Sequence, residues 1–327
     1  MKKLEQFTLK NSHGMQVDII NFGARIGSIK FPIGGKLYDM TIRYDDIDQF
    51  INDKFYVGAT CGRVSNRISN GTFELYEKTY QLTKNEGENC LHGGMYNYSA
   101  RFWEIVEVNL KNNSISLKIN SENGDQGFPG QLDLIVCYKL TVDNKLIIKY
   151  QAHTDISTPI SITNHSYFSL GENNCNLLQL QLMSSCYLEL DSKNLPTGKI
   201  VSVENSQLNF RQPRLLGENG KKKYQDKMLK NPNFDHCFIL DNSNFEQPKA
   251  ILWSLKNDVK MKLFTDQPAL QLYNGSALNG YFNQYQGICL EAQGYPDSVN
   301  KTHFPSTILT PDQAYEQTII YAFSQGS

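Results

Sequence analysis

An all-β fold of many short strands in packed antiparallel sheets is predicted by three features. Short alternating or apolar runs recur along the whole length, clusters of Asn, Gly, Asp and Pro split them, and helical periodicity is scarce. In chain order the clearest runs are Gln16-Val17-Asp18-Ile19-Ile20, Ser114-Ile115-Ser116-Leu117-Lys118-Ile119 and Leu132-Asp133-Leu134-Ile135-Val136-Cys137-Tyr138. Lys145-Leu146-Ile147-Ile148-Lys149-Tyr150 and Thr318-Ile319-Ile320-Tyr321-Ala322-Phe323 follow. Period-two alternation puts one set of side chains on each sheet face. Turn chemistry separates the runs at Asn123-Gly124, Asp143-Asn144 and Asn219-Gly220. One short helix is expected where Ile47, Phe50 and Ile51 follow Asp45-Asp46, whose carboxylates can cap it. Lys221-Lys222-Lys223 sits in a polar stretch ending near Pro232 and reads as a solvated loop. With no repeat, linker or low-complexity tract, residues 1–327 read as a single β-rich domain, long enough to bury a sizeable core.

The charge balance narrows the partners. Thirty-two basic and 33 acidic residues leave a formal net charge of −1, so no overall field favours nucleic acid or an anionic membrane. The seven cysteines are scattered, odd in number and without a CxxC pair. That pattern fits reduced thiols better than a disulfide framework or a zinc site. Lys2 and Lys3 are not followed by an apolar signal-peptide core, and no run of 18 apolar residues exists. The expectation is a soluble, cytoplasmic protein with no membrane span.

Six segments concentrate polar groups, most of them beside glycine, where a backbone can approach a ligand closely. They are Gly62-Arg63-Val64-Ser65-Asn66-Arg67-Ile68, Asn89-Cys90-Leu91-His92-Gly93-Gly94, and Ser161-Ile162-Thr163-Asn164-His165-Ser166-Tyr167-Phe168. The others are Phe234-Asp235-His236-Cys237-Phe238, Ala269-Leu270-Gln271-Leu272-Tyr273-Asn274-Gly275, and Gly287-Ile288-Cys289-Leu290-Glu291-Ala292-Gln293-Gly294-Tyr295-Pro296. If Ile160 and Ile162 face the core, strand alternation turns His165 to the opposite surface. It likewise sets Gln271 against Leu270 and Leu272, and Glu291 against Ile288 and Leu290, at a strand end. Imidazole, amide and carboxylate on non-core faces are what a sugar-binding cleft needs. Each also has a plainer reading. A strand histidine is usually structural, Arg63 and Arg67 can pair with acids at a loop base, and Asp235 can be a turn residue with His236 structural beside it. Glu291 in an apolar strand is the most informative, because an unpaired buried carboxylate is costly.

Taken together, these segments resemble the aldose 1-epimerase family, of the galactose mutarotase type. The resemblance rests on Gly62–Ile68, Leu91-His92-Gly93-Gly94, Gly124-Asp125-Gln126-Gly127-Phe128-Pro129-Gly130 and Asn164-His165-Ser166-Tyr167-Phe168. It continues through Leu195-Pro196-Thr197-Gly198, Phe234-Asp235-His236, Leu290-Glu291-Ala292-Gln293 and Phe304-Pro305-Ser306-Thr307-Ile308-Leu309. The resemblance implies a large antiparallel β-sandwich with an open sugar cleft and no metal or organic cofactor. It implies a free hexose as substrate, with Glu291 as general base, His165 as general acid, and His92 helping to place the sugar and polarise its oxygens. Asn66, Arg67, Asp235 and Gln271 match residues that hydrogen-bond the sugar hydroxyls. Ser169 departs from the family pattern, which commonly has Asn after Tyr-Phe.

Opening a cyclic hemiacetal removes a proton from the C1 hydroxyl and adds one to the ring oxygen, a task for one base and one acid. Glu291 as carboxylate and His165 as imidazolium are the expected forms at neutral pH. Three other readings use the same residues: a glycosidase with Asp235 and Glu291 as its carboxylate pair, a non-catalytic sugar-binding module, and a sugar-phosphate epimerase with Arg63 and Arg67 at the phosphate. The sequence leaves monomer and homodimer both open.

Overall fold

Alternating runs become strands whose burial alternates with them. Leu132–Leu140 buries Leu132, Leu134, Val136, Tyr138 and Leu140 and leaves the residues between them partly or fully open. Each fully buried Leu or Val on such a face contributes about 1.5–3 kcal/mol relative to an exposed one. In this computed structural model residues 3–217, 233–241 and 244–326 are described. The Asn219-Gly220 turn, the Lys221-Lys222-Lys223 loop and Pro232 lie outside them.

The fold is all-β, with antiparallel sheets. A nine-stranded sheet runs in the order Glu104–Asn109, Ser114–Ser121, Leu132–Leu140, Lys145–Thr154, Tyr315–Gln325, Val259–Thr265, Ala250–Ser254, Leu178–Leu182 and Arg214–Leu215. A six-stranded sheet runs Tyr167–Phe168, Ile288–Gln293, Ala269–Tyr273, Asp235–Ile239, Cys186–Leu190 and Pro196–Ser202. The two share one apolar core, in which Leu134, Val136 and Leu263 of the first join Leu270, Leu272 and Leu290 of the second. This is the sandwich arrangement. A four-stranded sheet formed by Gln6–Lys10, Gln16–Ile20, Arg25–Ile33 and Lys36–Asp39 adds Val17, Ile19 and Ile29 to the same core. Ile47–Asn52 is a short 3₁₀ helix, capped by Asp46 in a reciprocal bond with Gln49. Among the described residues no helix is long and apolar enough to cross a membrane.

Alternation in the six-stranded sheet positions the site. Leu270, Leu272, Leu290 and Ala292 point into the core, so Gln271, Cys289 and Glu291 take the other face. Register places Gln271 directly opposite Glu291, and Asp235 opposite Tyr273. Glu291 is the fourth of six residues in Ile288–Gln293 rather than at its end. That outer face is itself covered, since all six residues of the strand are buried.

The segment carrying His165 departs from the sequence reading. It forms two-residue strands, Thr163–Asn164 paired with Thr60–Cys61 and Tyr167–Phe168 paired with Cys289 and Ile288, and His165 lies at the break between them. Every residue from Ile160 to Leu170 is buried. His165 therefore has no solvent face to turn toward. Its backbone is held on both sides, accepting from Gly58 N at 3.0 Å and donating to Ala59 O at 2.9 Å. Glycine is required at position 58, where φ is +69° and a Cβ would stand 2.0 Å from Ile26 O.

Candidate active site

The outer face of the six-stranded sheet supplies three groups and the segments over it supply four more. Arg67 and His92 arrive on a two-stranded ribbon, Arg67–Ile68 against Cys90–Leu91. At its end His92 N donates to Asn66 O at 3.0 Å, and Asn66 N returns a bond to His92 Nδ1 at 3.2 Å. Both residues have left-handed backbone, Asn66 at φ 60° and His92 at φ 52°. This conformation is common for Asn and costly for most side chains, and such positions cluster at functional sites. Gly93, next in line, fits because a Cβ there would meet Gly62 O at 2.2 Å.

Glu291 and His165, 126 residues apart in the chain, meet at the centre. Glu291 Oε1 lies 3.6 Å from His165 Nε2, and the side chains are 3% and 6% exposed. This is ion-pair distance but too long for a hydrogen bond. On the far side of the imidazole, Cys289 Sγ lies 3.4 Å from Nδ1. The His92 ring is 5.4 Å from that of His165, nearly perpendicular at 77°. Tyr56 packs against both imidazoles, 4.7 Å from His92 and 5.7 Å from His165.

The remaining predicted groups form a polar rim. Gln271 Nε2 donates to Asp235 Oδ1 at 2.6 Å. Arg67 grips Glu86 with two bonds of 2.7 and 2.8 Å and reaches Asp235 Oδ2 at 3.5 Å. Two acceptors, Glu291 Oε2 and Gln271 Oε1, are buried with no hydrogen-bond partner among the described residues. Each such orphan costs about 1–3 kcal/mol, which a ligand hydroxyl would recover.

Burial dominates the site's ionisation. It pushes the Glu291 carboxyl well above its usual range, with Asp235 adding to the rise and Arg67 opposing it. It draws the His165 imidazole down to about 4. His92 is held well below its usual value by burial, by His165 and by Arg67. The carboxylate–imidazolium form expected at neutral pH is thus the less favoured one in this buried setting. The favoured form has the same net charge with one proton moved: a carboxylic acid beside a neutral imidazole. A low-dielectric pocket penalises both ions, whereas the neutral pair escapes the penalty.

His92, His165 and Glu291 bring one ligand atom each within 4.8 Å of one another, the composition of a two-histidine, one-carboxylate metal site. The tautomer of His92 speaks against an ion there. Its Nδ1 accepts from the Asn66 backbone N–H, so a neutral ring carries its proton on Nε2 and has no lone pair left to give.

Arg63 takes no part. It is 2% exposed, and its guanidinium donates to Pro129 O at 2.6 Å, Thr158 Oγ1 at 3.0 Å and Ser121 Oγ at 2.7 Å. It ties loops together instead of pairing with an acid. Ser169 is buried, its hydroxyl donating to Asp39 O at 3.5 Å. His236 faces the Tyr187 ring at 5.9 Å, and burial lowers its pKa. Three site residues escaped sequence reasoning. Glu86 sits in a polar loop, and Tyr56 in the short apolar run Phe55-Tyr56-Val57, with no pattern to mark either. Cys289 lay in a segment singled out for Glu291, where the period-two spacing alone placed both on one face.

Residues 5–322 match the family model described as aldose 1-epimerase. The chain is 32% identical to a protein named galactose mutarotase from Bos taurus, covering 98% of this chain and 94% of that protein. It is 31% identical to the aldose 1-epimerase of Escherichia coli K12, over 97% of this chain and 94% of the other. A solved structure described as a GalM/aldose epimerase homologue from C. elegans superposes with a TM-score of 0.92 at 29% identity, covering 99% of this chain and 100% of that one.

Proposed function

The chain belongs to the aldose 1-epimerase family, and on that premise we propose that it interconverts the α and β anomers of a free hexose, galactose foremost. Galactose is named in the mammalian relative. The supporting observation in the fold is the 3.6 Å between Glu291 Oε1 and His165 Nε2. The C1 hydroxyl oxygen and the ring oxygen hang from one carbon, so a base for one and an acid for the other have to stand within a few ångströms.

The pair works as a two-position proton carrier. With sugar bound, Glu291 as carboxylate takes the proton of the C1 hydroxyl while His165 as imidazolium gives one to the ring oxygen. The C1–ring oxygen bond breaks, C1 becomes an aldehyde, and the pair becomes carboxylic acid plus neutral imidazole. That is the form burial favours, so the site stabilises the protonation state that accompanies the open chain. After rotation about C1–C2 the protons return and the ring closes on the other face. Acid and base each contribute on the order of 10²–10⁴-fold. His92, its Nε2–H fixed by the Asn66 bond, donates to a sugar oxygen without exchanging its proton. Asn66, Arg67, Asp235 and Gln271 hold the distant hydroxyls and leave C1 free to turn.

The competing chemistries fit the geometry less well. Both Asp235 oxygens accept from Arg67 and Gln271, so neither is free to serve as the nucleophile or base that a glycosidase needs beside its acid. A phosphate would find Arg63 committed to carbonyls and Arg67 already flanked by Glu86 and Asp235. Polarimetry on fresh α-galactose and α-glucose tests the reading, with methyl α-galactoside as a blocked control. The expected result is faster rotation decay for the free sugars and no change for the glycoside. Release of reducing sugar from the glycoside, or decay at the uncatalysed rate, would overturn it.

A further inference from the structure

The proton cycle leaves one group unexplained. Every turn of it needs His165 to gain and lose its proton at Nε2, the nitrogen facing Glu291. A neutral imidazole has two tautomers, and in one of them Nε2 already carries the proton and can accept nothing. Something has to keep a proton on Nδ1 throughout. Among the described residues the side-chain partner of Nδ1 is Cys289 Sγ, at 3.4 Å.

We propose that Cys289 is a positioning residue: its sulfur accepts the hydrogen bond of His165 Nδ1–H and so makes Nε2 the nitrogen that gives and takes the proton. The inference rests on the reading of His165 as the acid. The directions around the sulfur are consistent. The other polar neighbour of the sulfur, the Tyr167 hydroxyl, donates to Phe55 O at 2.9 Å, which leaves the sulfur to accept from Nδ1–H. Sheet register holds the assembly, because Cys289 pairs with Tyr167 on one side and Tyr273 on the other, two residues from Glu291. Strand Ile288–Gln293 thus delivers the base and the orienter of the acid on one face, at i and i+2. A neutral sulfur suits this role. A carboxylate in its place would also fix the tautomer but would add a negative charge, stabilise the imidazolium and weaken it as an acid. A thiol gives orientation without charge, and burial keeps it protonated.

The test is ¹⁵N NMR of histidine-labelled protein at pH 7, read by two-bond nitrogen–proton correlations, with His165→Gln and His92→Gln spectra for assignment. The wild-type protein is expected to show His165 with the proton on Nδ1 and a bare Nε2, and His92 with the reverse. In Cys289→Ala the Nδ1–H population falls and kcat for galactose drops roughly tenfold, a modest share of what a positioned acid supplies, while KM stays within about twofold. Cys289→Ser keeps an acceptor and recovers most of both. A wild-type spectrum with the proton on His165 Nε2 would overturn the inference, and it requires no variant to fold. An Ala variant with unchanged spectrum and unchanged kcat would overturn it equally. Failure of the wider reading has a separate signature: turnover surviving in His165→Ala, whatever the tautomer.

Discussion

His92 and His165 lie side by side, 5% and 4% exposed, yet the chain supports them in opposite ways. His92 turns its Nδ1 to a backbone N–H on a short ribbon. The donor is rigid and cannot be reversed, so the cleft side of that ring is a fixed N–H. His165 turns its Nδ1 to a side-chain sulfur and its Nε2 to a carboxyl. The buried sulfur keeps its own proton and the carboxyl can hold or release one, so on the proposed reading that ring cycles at Nε2. Burial is therefore a poor guide to which buried histidine does chemistry. On the proposed roles, the partner behind the ring decides whether it serves as a fixed hydrogen-bond donor or as a proton carrier.

The contrast can be broken most forcefully at His165. His165→Ala is expected to lower kcat for galactose on the order of 10³-fold, within the range for a general acid, with KM little changed. His92→Ala removes a donor but no proton carrier, and about a 10²-fold loss is expected, as for other transition-state hydrogen-bond donors. If the two losses came out in reverse order, the assignment of roles would be wrong. Further out on the rim, Asp235→Ala frees both Arg67 and Gln271 and should raise KM roughly tenfold with a smaller fall in kcat. An unchanged KM for every hexose tested would count against Asp235 as a hydroxyl ligand.

The smallest effects concern stability against pH, where His165 and Glu291 pull in opposite directions. His165 titrates near 4 when folded and near 6.5 when unfolded. Above about pH 6.5 both states are neutral. Below it the unfolded chain takes up the proton first, so stability is lost as pH falls toward 4. His165→Asn should flatten that acid slope in thermal melts. Glu291 is shifted upward, so its folded carboxyl is most comfortable protonated and loses stability as pH rises through its raised value. Glu291→Gln is expected to melt higher than wild type at pH 8, by on the order of 1 kcal/mol, and to lose that advantage at pH 5. A variant equally or less stable at pH 8 would show that the carboxyl carries no such strain.

Legibility from sequence followed the same physical divide. Strands such as Lys145–Thr154, buried on one face and open on the other, announce themselves by alternation. Asp46 announced a helix start because capping is local chemistry. The same logic misled at His165, because Ile160 through Leu170 is buried on both sides and has no solvent face for alternation to reveal. Glu291 stood out as a carboxylate among apolar neighbours. The grouping of Glu291 with His165, His92 and Arg67 depends on which segments cross the outer face of one sheet, and only the ordered family motifs carried that. Cys289, Tyr56 and Glu86 stayed hidden since a thiol, a phenol and a loop carboxylate gain meaning from the distances at which they meet a ring or a guanidinium.

The central claim, one proton carrier made of two residues, is tested most directly by a double-mutant cycle in polarimetry on fresh α-galactose. Groups that act as a unit give strongly non-additive losses. The prediction is that Glu291→Gln, His165→Ala and the double variant, all folded by circular dichroism, have turnover numbers within about tenfold of one another. Losses that multiply in the double variant, or a single variant that retains near-normal turnover, would contradict it.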